Sequence, residues 1–587
     1  GLTYTDLAKR EEPEITIRTA MVTVLFPGMP PARMETLIAE PVERKIRLIP
    51  EVEEIETLLV TGQVSFRVTL YDRYDDLEDI WQALRDKMSE VTRELPPDTL
   101  GPFVNTDYGD VSIATIAMTA EGFDYAEMLD TAEDLQRRLY TIAGISKVNF
   151  YGQQAEKIWL EFDANRLAAV GMQLAVVIDE LREQNIILPS GQLNAGGKRL
   201  LLETSGDFRS EQDIAALLSK TRIGDNFVRL ADIVHVRRGF ADPLTRPVYA
   251  NGEPAIAISV EMQSGEDILK VGKRIRDEVA AFEQQQPIGY AFDFVSFQPD
   301  EVRRSVRGAL LNVAETFVVV LLVVMVFLGL RTGVVIAAIV PFAVLFALMG
   351  MRVLGIALEQ VSIAAVIISL GLLVDNGVVV VEDVLRRVEQ GQARTLAARA
   401  AAKQFAIPLA IASGTTAAAF LPFFLLEGPE GEYAYSLASV VALSLLGSWL
   451  SAMYFLPLIA ARFVQPKTSR VDKPAAGANY YRRLLAFCLP RAPWVLAATA
   501  LLVVAGALLF SRLPSQLFPP SDRGEVLVYM ELPMGSNINE TLRLSKAFGD
   551  WLADDEANPE LRNYTAYIAD GGPRFYLTLN PAERSPT

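Results

Sequence analysis

The sequence has 587 residues, of which 51% are apolar and 22% are charged, and its formal net charge is −17. This mixture fits neither a soluble enzyme nor a bare helical bundle, and it indicates a membrane part joined to a large polar part. The single cysteine, Cys488, excludes an internal disulfide, the single histidine, His235, leaves little for a soft metal site, and the acidic balance argues against a nucleic-acid partner.

Residues 1–300 alternate strand patterns with amphipathic helices. The periodicities predict, in order, a strand over 14–26, a helix over 31–49, paired strands over 53–60 and 63–71, a helix over 75–95 and a closing strand over 112–119. The order β-α-β-β-α-β is that of a split βαβ, or ferredoxin-like, module. We therefore assign residues 1–118 to a first α/β module.

A second α/β module follows and is interrupted by an insert. We assign it to 119–166 and 240–300, with helices over 125–142 and 267–284 and strands over 146–151, 157–162, 255–262 and 290–297. The insert, 167–239, carries Ser190, Gly191, Gln192 and Leu193 beside a proline, an asparagine and paired glycines, which favour a hairpin or loop. An ordinary surface turn and a docking role explain this stretch equally well.

Hydrophobic segments dominate the chain after residue 300. Five membrane spans are predicted within 301–463, at 308–330, 333–351, 361–381, 405–426 and 435–461, and a sixth within 493–512, at 493–510. Basic residues cluster in the third-to-fourth connection and in the interfacial segment 464–492, whereas the fourth-to-fifth connection is acidic. The positive-inside rule then places residues 1–300 and the chain after 512 outside the cytoplasm.

Asp375 is the carboxylate within the apolar run 361–381. By helical rise it lies about 21 Å from Val361, inside a hydrocarbon core about 30 Å thick. An aspartate there costs about 2.5 to 3.5 kcal/mol, so such residues usually face a protein interior and mark an ion or proton path. Burial disfavours the charged form, and Asp375 is therefore a candidate for binding and releasing a proton. The alternative is a carboxylate that only ties two helices together.

The tail repeats part of the first module. Pro50, Gly62 and Phe66 recur as Pro559, Gly571 and Phe575, each displaced by 509 residues. Duplicated halves are a common transporter plan, so we expect 513–587 to be the start of a second copy and the chain to be part of a longer polypeptide. Chance similarity is the alternative.

The motif Gly371-Leu-Leu-Val-Asp-Asn-Gly-Val-Val-Val-Val-Glu-Asp383 resembles the fourth-helix motif of resistance-nodulation-division (RND) transporters, in the hydrophobe/amphiphile, acriflavine-resistance-type branch. Phe26-Pro-Gly28, Ser190-Gly-Gln-Leu193 and the stretch 513–519 add to the resemblance, which covers essentially the whole chain.

The resemblance implies α/β periplasmic porter modules on a helical membrane bundle, in a duplicated-half architecture. It implies a secondary active transporter and not an enzyme: a homotrimer in the inner membrane of a Gram-negative bacterium, driven by proton influx without a cofactor. Such a pump passes amphiphilic small molecules through a periplasmic adaptor to an outer-membrane channel. The hairpin at 190–193 would be its docking element.

In that family two adjacent fourth-helix aspartates interact with a lysine on a later helix. Here the first aspartate matches Asp375, but the second position is Asn376, whose amide does not titrate in the working range. Any proton cycling at this pair must then use Asp375 alone. Glu315 matches a second-helix position and is expected to admit protons from the periplasm, unless it is a pore-facing or trimer-contact residue. Glu382 is a candidate exit residue or, more simply, a solvated acid at a helix end.

The family layout also suggests a substrate pocket. The positions that fall near it are Ile113, Phe150, Tyr151, Tyr567 and Phe575, whose large apolar surfaces and phenolic tips suit varied amphiphiles. Core packing explains each of these residues at least as well. Proton-coupled export of amphiphiles is thus the leading interpretation, with a metal-ion exporter of the same family and a non-transporting membrane sensor or scaffold as alternatives.

Overall fold

The computed structural model describes residues 7–579 except 108, 171–172, 185–191, 196–197, 202–207, 221–226, 464–475, 514–522, 534, 555 and 577–578. Up to residue 105 the chain forms β1 (Thr19–Leu25), a helical stretch α1 (31–46), β2 (Val52–Val60), β3 (Gln63–Leu70), α2 (Glu78–Val91) and β4 (Leu100–Asn105). From there to residue 297 it forms β5 (Ser112–Ala120), α3 (Tyr125–Tyr140), β6 (Ile145–Tyr151), β7 (Glu156–Phe162), α4 (Ala164–Val170), α5 (Leu174–Gln184), β8 (Gln192–Ala195), β9 (Lys198–Leu201), α6 (Glu211–Ala215), β10 (Leu218–Lys220), β11 (Phe227–Arg229), β12 (Val234–Phe240), β13 (Val248–Ala250), β14 (Glu253–Met262), α7 (Ile268–Glu283) and β15 (Tyr290–Phe297).

The first sheet has the strand order β2-β3-β1-β4, and every pair in it is antiparallel. Period-two alternation explains why these residues form strands: Val22, Val24 and Phe66 are fully buried between the sheet and its two helices. Ile38 on α1 and Leu84 on α2 complete this core. The predicted α/β character of the first module is therefore correct.

The strand that closes the first sheet is β4, so the prediction that 112–119 closes it was wrong. That segment is β5, which pairs instead with β14 and β15 in a six-stranded second sheet. Its first seven residues are all buried, as expected for a strand covered on both faces. β4 escaped prediction because Gly101 and Pro102 interrupt its pattern, and proline is tolerated in a sheet mainly at an edge.

The second sheet runs β15-β5-β14-β13-β16, with β6 also paired to β14 and with β16 (Thr565–Tyr567) supplied by the tail. The prediction that the strand at 157–162 belongs to this module was also wrong. That strand, β7, pairs with β12, which comes from the predicted insert. β7 is mostly exposed or half-buried, because it lies in a two-stranded sheet away from the main core.

The insert contains the expected hairpin strands, since β8 and β9 pair in antiparallel register with Gln192 opposite Leu201 and Leu193 opposite Leu200. Ser190 and Gly191 lie outside the described residues.

The membrane part consists of α8 (Gln298–Leu328), α9 (Leu330–Leu354), α10 (Gln360–Glu389), α11 (Arg394–Ala418), α12 (Gly428–Phe463), α13 (Ala476–Cys488) and α14 (Ala492–Phe510), followed in the tail by α15 (Ile538–Leu552). Among the described residues, five helical segments are long and apolar enough to cross a membrane: α8, α9, α10, α12, and α13 with α14 taken together. The predicted fourth span, 405–426, is not one of them. Its helix, α11, starts earlier and ends at Ala418, and Lys403, Gln404 and two threonines dilute its apolar stretch.

Residues 7–18, here called the strap, connect the membrane helices to both modules. The N–H of Leu358, just before α10, donates to the Ala8 carbonyl at 2.8 Å, and the N–H of Ile268 on α7 donates to the next carbonyl, that of Lys9, at 3.1 Å. At the end of the strap the Arg18 guanidinium binds Asp75 at 2.7 Å and Glu432 of α12 at 2.6 Å.

Candidate functional site: the polar face of the Asp375 helix

Asp375 is the sixteenth of the thirty residues of α10, about 22 Å along the helix. Its side chain is exposed on the surface of the chain, whereas that of the next residue, Asn376, is only 5% exposed. Neighbouring residues diverge in this way because each residue of an α-helix is rotated by about 100° from the last. The expectation that Asp375 faces the interior is therefore not met within this chain.

Asn376 holds three helices together. Its side-chain amide nitrogen donates to the Ser413 hydroxyl on α11 and to the Ser448 hydroxyl on α12, both at 3.1 Å. The Ser448 hydroxyl in turn donates to the Leu373 carbonyl of α10 at 2.8 Å. An ionised aspartate has no donor to make the first two bonds, so the amide suits this position structurally.

A row of polar residues follows the same face of α10. Ser362, Ser369, Asn376 and Asp383 recur every seventh residue, and all four are buried. On α12, Ser444, Ser448 and Ser451 are fully buried at spacings of four and three residues, which places them on one face. We call these seven residues the polar seam; its seven-residue spacing is visible in the sequence but was not recognised there.

All four polar-seam residues on α10 have hydrogen-bond partners, whereas only one of the three serines on α12 has one among the described residues. The Asp383 carboxylate accepts from Arg386 at 3.1 Å and from Arg387 at 2.6 Å. The hydroxyls of Ser444 and Ser451 have no hydrogen-bond partner among the described residues. Buried hydroxyls of this kind are uncommon, because desolvating one without a partner is unfavourable.

Glu359 caps the outer end of α10. Its carboxylate accepts from the N–H groups of Val361 and Ser362, and the Ser362 hydroxyl accepts from the Glu359 N–H in return, which forms a capping box. The side chain is only 1% exposed. Burial raises the pKa of the Glu359 carboxyl to about 7, although its N–H donors act in the opposite direction.

The structure does not join the other predicted proton-path residues to Asp375. Glu315 on α8 and Glu382 on α10 are both exposed, and Glu382 shares the face of Asp375. Neither Glu315 nor Asp375 makes a hydrogen bond or ion pair within the described part of the chain. A relay from Glu315 to Asp375 remains a prediction.

The predicted pocket residues fall into three places. Tyr151 and Tyr567 meet at the junction of β6, β14 and the tail strand, with ring centroids 6.0 Å apart and planes nearly perpendicular. Burial, together with the neighbouring Tyr151, raises the pKa of Tyr567. Ile113 lies in the core of the second module with Phe150 packed against it, as the core-packing alternative expects. Phe575 lies instead beside the guanidinium of Arg523, at 5.8 Å.

Comparison with known proteins decides the family. The model of the family described as AcrB/AcrD/AcrF matches residues 1–583. The chain belongs to the AcrB/AcrD/AcrF family. The resemblance to RND transporters is thereby confirmed, and members of this family are membrane transporters and not enzymes.

Individual relatives in the AcrB/AcrD/AcrF family are named either for cation efflux or for multidrug resistance. The cation efflux system protein CzcA of an Alcaligenes species is 25% identical over 558 residues, which cover 91% of this chain and 52% of that protein. The cobalt-zinc-cadmium resistance protein CzcA of Cupriavidus metallidurans has the same identity and coverage. The multidrug resistance protein MdtC of Edwardsiella ictaluri is 24% identical over 587 residues, which cover 97% of this chain and 56% of that protein. The chain thus spans about half the length of the curated relatives it matches.

Chemically, two carboxyl groups of this member of the AcrB/AcrD/AcrF family are of most interest: Asp375 on α10 and Glu359, the residue that caps this helix. Asp375 lies at mid-helix on an exposed face, where it is free to meet another part of the protein. Glu359 lies buried at the outer end, beside the modules. Asn376 fixes the packing of α10 through its hydrogen bonds to α11 and α12. It does not bind or release a proton, because its side chain is a neutral amide.

Proposed function

We propose that this chain is part of a proton-driven exporter of amphiphilic small molecules, in which Asp375 binds and releases the driving proton. The observation that carries this proposal is the opposite orientation of two adjacent side chains. Asn376 donates hydrogen bonds to Ser413 and Ser448 inside the helix group, while Asp375 is exposed at mid-helix, at the depth predicted to be the middle of the membrane. A carboxyl at that depth is costly unless another part of the protein receives it.

The exposed face of α10 is where we place the contact with the second half of the transporter. The chain covers 52% to 57% of its MdtC and CzcA relatives, which leaves a comparable length to pack there. Removal of Asp375 from water and lipid at such a contact favours its neutral form, and a nearby cation favours its charged form. Alternation of Asp375 between its neutral and its charged form would let proton uptake change how the two halves of the transporter pack together.

Amphiphilic substrates are favoured by the aromatic junction between the second module and the tail. The edge-to-face pair Tyr151 and Tyr567 presents apolar ring surface with two hydroxyl tips, in a contact between segments 416 residues apart. Such surfaces bind varied apolar molecules while orienting a few polar groups. Relatives named for multidrug resistance agree with this assignment.

Export of divalent metal cations is the second candidate, because two relatives at 25% identity are named for cation or cobalt-zinc-cadmium resistance. Among the described residues, no group of three or more His, Cys, Asp or Glu side chains is placed to hold a metal ion, which makes this the weaker candidate. Both candidates share the same use of Asp375 and differ only in the substrate.

The proposed setting is the inner membrane of a Gram-negative bacterium, with the α/β modules in the periplasm. In this proposal three copies assemble with a periplasmic adaptor and an outer-membrane channel, and no cofactor is needed. The hairpin of β8 and β9 supports a docking role because it is a two-stranded element separate from both main sheets.

Transport by the complete polypeptide in proteoliposomes tests the proposal. An imposed inward proton gradient should drive export of an amphiphilic dye, and Asp375→Asn should abolish it. Glu389→Gln is the control, since Glu389 is an exposed acid at the last residue of α10 and should leave transport unchanged. Gradient-driven dye export that survives in Asp375→Asn would contradict the proposal. Movement of Zn²⁺ but not dye under the same gradient would select the second candidate.

A further inference from the structure

A cavity of about 540 Å³ lies where the modules meet the outer ends of the membrane helices. Its walls come from the strap, the loop after β3, the loop before α10, the short helix Leu421–Leu425 and the start of α12. This volume is within the range of pockets that hold drug-sized molecules.

One side of the cavity is apolar and aromatic. Phe424 and Tyr435 meet edge to face with ring centroids 5.5 Å apart, and Leu354, Ile356 and Leu426 extend the same surface. Aromatic faces carry negative charge density and attract organic cations as well as apolar groups.

The rest of the wall is strongly charged and has an excess of acids. Three arginines, Arg10, Arg18 and Arg73, face six carboxylates, which are Glu14, Asp72, Asp75, Glu359, Glu427 and Glu432. Arg18 is committed to Asp75 and Glu432, and Arg10 pairs with Glu14 at 3.2 Å. The remaining wall therefore has three carboxyl groups against one guanidinium, which favours a positively charged occupant.

Glu359 is the most deeply buried of these acids, and several elements surround it. Burial raises the pKa of its carboxyl to about 7, against the effects of the Val361 and Ser362 N–H groups and the Ser436 hydroxyl. The titratable and charged groups around it are Arg10, Glu11, Glu12 and Glu14 from the strap, Glu432, Tyr433 and Tyr435 from α12, and Arg18, Asp72, Arg73, Asp75 and Glu427 across the cavity. Glu359 is thus poised to change charge near neutral pH.

We propose that this cavity is a binding site for organic cations with an apolar body, and that the cation competes with a proton held by Glu359. The inference rests on the proposed export function and adds to it a charge class of substrate and a place where substrate and proton meet. A cation in the cavity stabilises ionised Glu359, so its arrival releases the proton to water, and proton binding weakens the hold on the cation. No bond other than the carboxyl O–H breaks or forms.

The sign of the pH effect follows from this competition. Above about pH 7 the Glu359 carboxylate is ionised and the site holds a cation well. Below that pH the carboxyl is protonated, the wall loses one negative charge and the cation binds more weakly. A neutral molecule of the same shape gains nothing from the carboxylate and should show no such step.

Binding of the tetraphenylphosphonium cation and of neutral tetraphenylmethane, measured with the complete polypeptide in detergent across about pH 5.5 to 8.5, tests this inference. Affinity for the cation should fall as the pH drops through about 7 in the wild type. Glu359→Gln should lose this step, and Glu253→Gln, which changes an exposed acid on β14 away from the cavity walls, should keep it. Ser436→Ala removes a hydrogen bond to the carboxylate and should shift the midpoint to higher pH.

A step unchanged in both Glu359→Gln and Ser436→Ala, or an equal step for the neutral molecule, would overturn the inference. If Glu359→Gln does not fold, the Ser436→Ala shift decides alone. The proposed export function has a separate test, because it is contradicted if Asp375→Asn still transports the dye. If Asp375→Asn is inactive but Glu359→Gln keeps the wild-type pH step in cation binding, only the assignment of the cavity is wrong.

Discussion

Glu11 and Arg523, 512 positions apart in the sequence, form a two-point ion pair with N to O distances of 3.0 and 2.7 Å. Their side chains are only 10% and 8% exposed, so the pair is buried. It ties the strap to the beginning of the tail, and the Arg523 guanidinium also lies 5.3 Å from the Tyr576 ring.

Glu11→Ala should lower the free energy of unfolding by about 3 kcal/mol, because it leaves the Arg523 charge buried without its main partner. Thermal melting of the detergent-solubilised protein measures the loss. Glu540→Ala is the matched control: its pair with Arg543 on α15 is well exposed, and the change should lower stability much less than Glu11→Ala does. Equal losses of stability in Glu11→Ala and Glu540→Ala would contradict a special contribution from the buried pair of Glu11 and Arg523.

Two serines of the polar seam should respond in opposite ways to alanine. Ser448→Ala removes the donor to the Leu373 carbonyl and an acceptor for Asn376, and should lower stability by about 1 to 2 kcal/mol. Ser444→Ala removes a buried hydroxyl that has no partner among the described residues, and should leave stability unchanged or raise it. Chemical denaturation of both variants gives the comparison. A larger loss in Ser444→Ala than in Ser448→Ala would show that the Ser444 hydroxyl is bonded after all.

Gly431 at the start of α12 should not tolerate a side chain. A Cβ atom there would lie 2.1 Å from the Leu426 carbonyl oxygen, a backbone atom that cannot move aside cheaply. Gly431→Ala should therefore lower stability by roughly 1 to 3 kcal/mol. At Gly308 on α8 a Cβ would meet nothing within 4 Å, so Gly308→Ala should be neutral or slightly stabilising. Melting temperatures of the two variants test this difference.

Glu261 on β14 should make the stability of the second module depend on pH. Burial, and then the neighbouring Asp110, raise the pKa of its carboxyl from 4.5 to about 7. The folded state thus binds more protons than the unfolded state between these values, so the stability from Glu261 is complete below about pH 4.5 and lost as the pH rises through about 7.

Glu261→Gln should flatten this dependence, with less loss of thermal stability between about pH 5 and 8 than in the wild type. Glu253→Gln is the control, since Glu253 is an exposed acid on the same strand. A pH profile in Glu261→Gln that matches the wild type would contradict the assignment.

Local patterns in the sequence predicted most of the helices and the paired strands β2 and β3, because alternation and helical periodicity report burial directly. They failed at β4, where Gly101 and Pro102 break the alternation, and at β5, which is buried on both faces and therefore carries no sign of which sheet it joins. Strand partners depend on contacts far apart in sequence, and one chain does not show these.

The candidate site shows the same division. Counting along α10 placed Asp375 at mid-membrane depth, but counting does not tell which face of a helix is covered. The seven-residue recurrence from Ser362 to Asp383 is present in the sequence and could have predicted a buried polar face of α10. The burial of Glu359 could not have been predicted in this way, because it depends on the strap and α12, which are distant in the sequence. Family resemblance suggested only that Tyr151 and Tyr567 lie near one pocket, and no spacing in the chain predicted the contact between their rings.

The strap leaves little slack between the two layers of the protein. Adjacent carbonyls, those of Ala8 and Lys9, hold the segment before α10 and the first residue of α7 respectively. A hydrogen bond weakens steeply once it stretches by about half an ångström, so these two elements can shift apart only slightly before one bond breaks. A rise or tilt of α10 is therefore transmitted to the second module through a single residue, Lys9, whose two flanking peptide units carry these bonds.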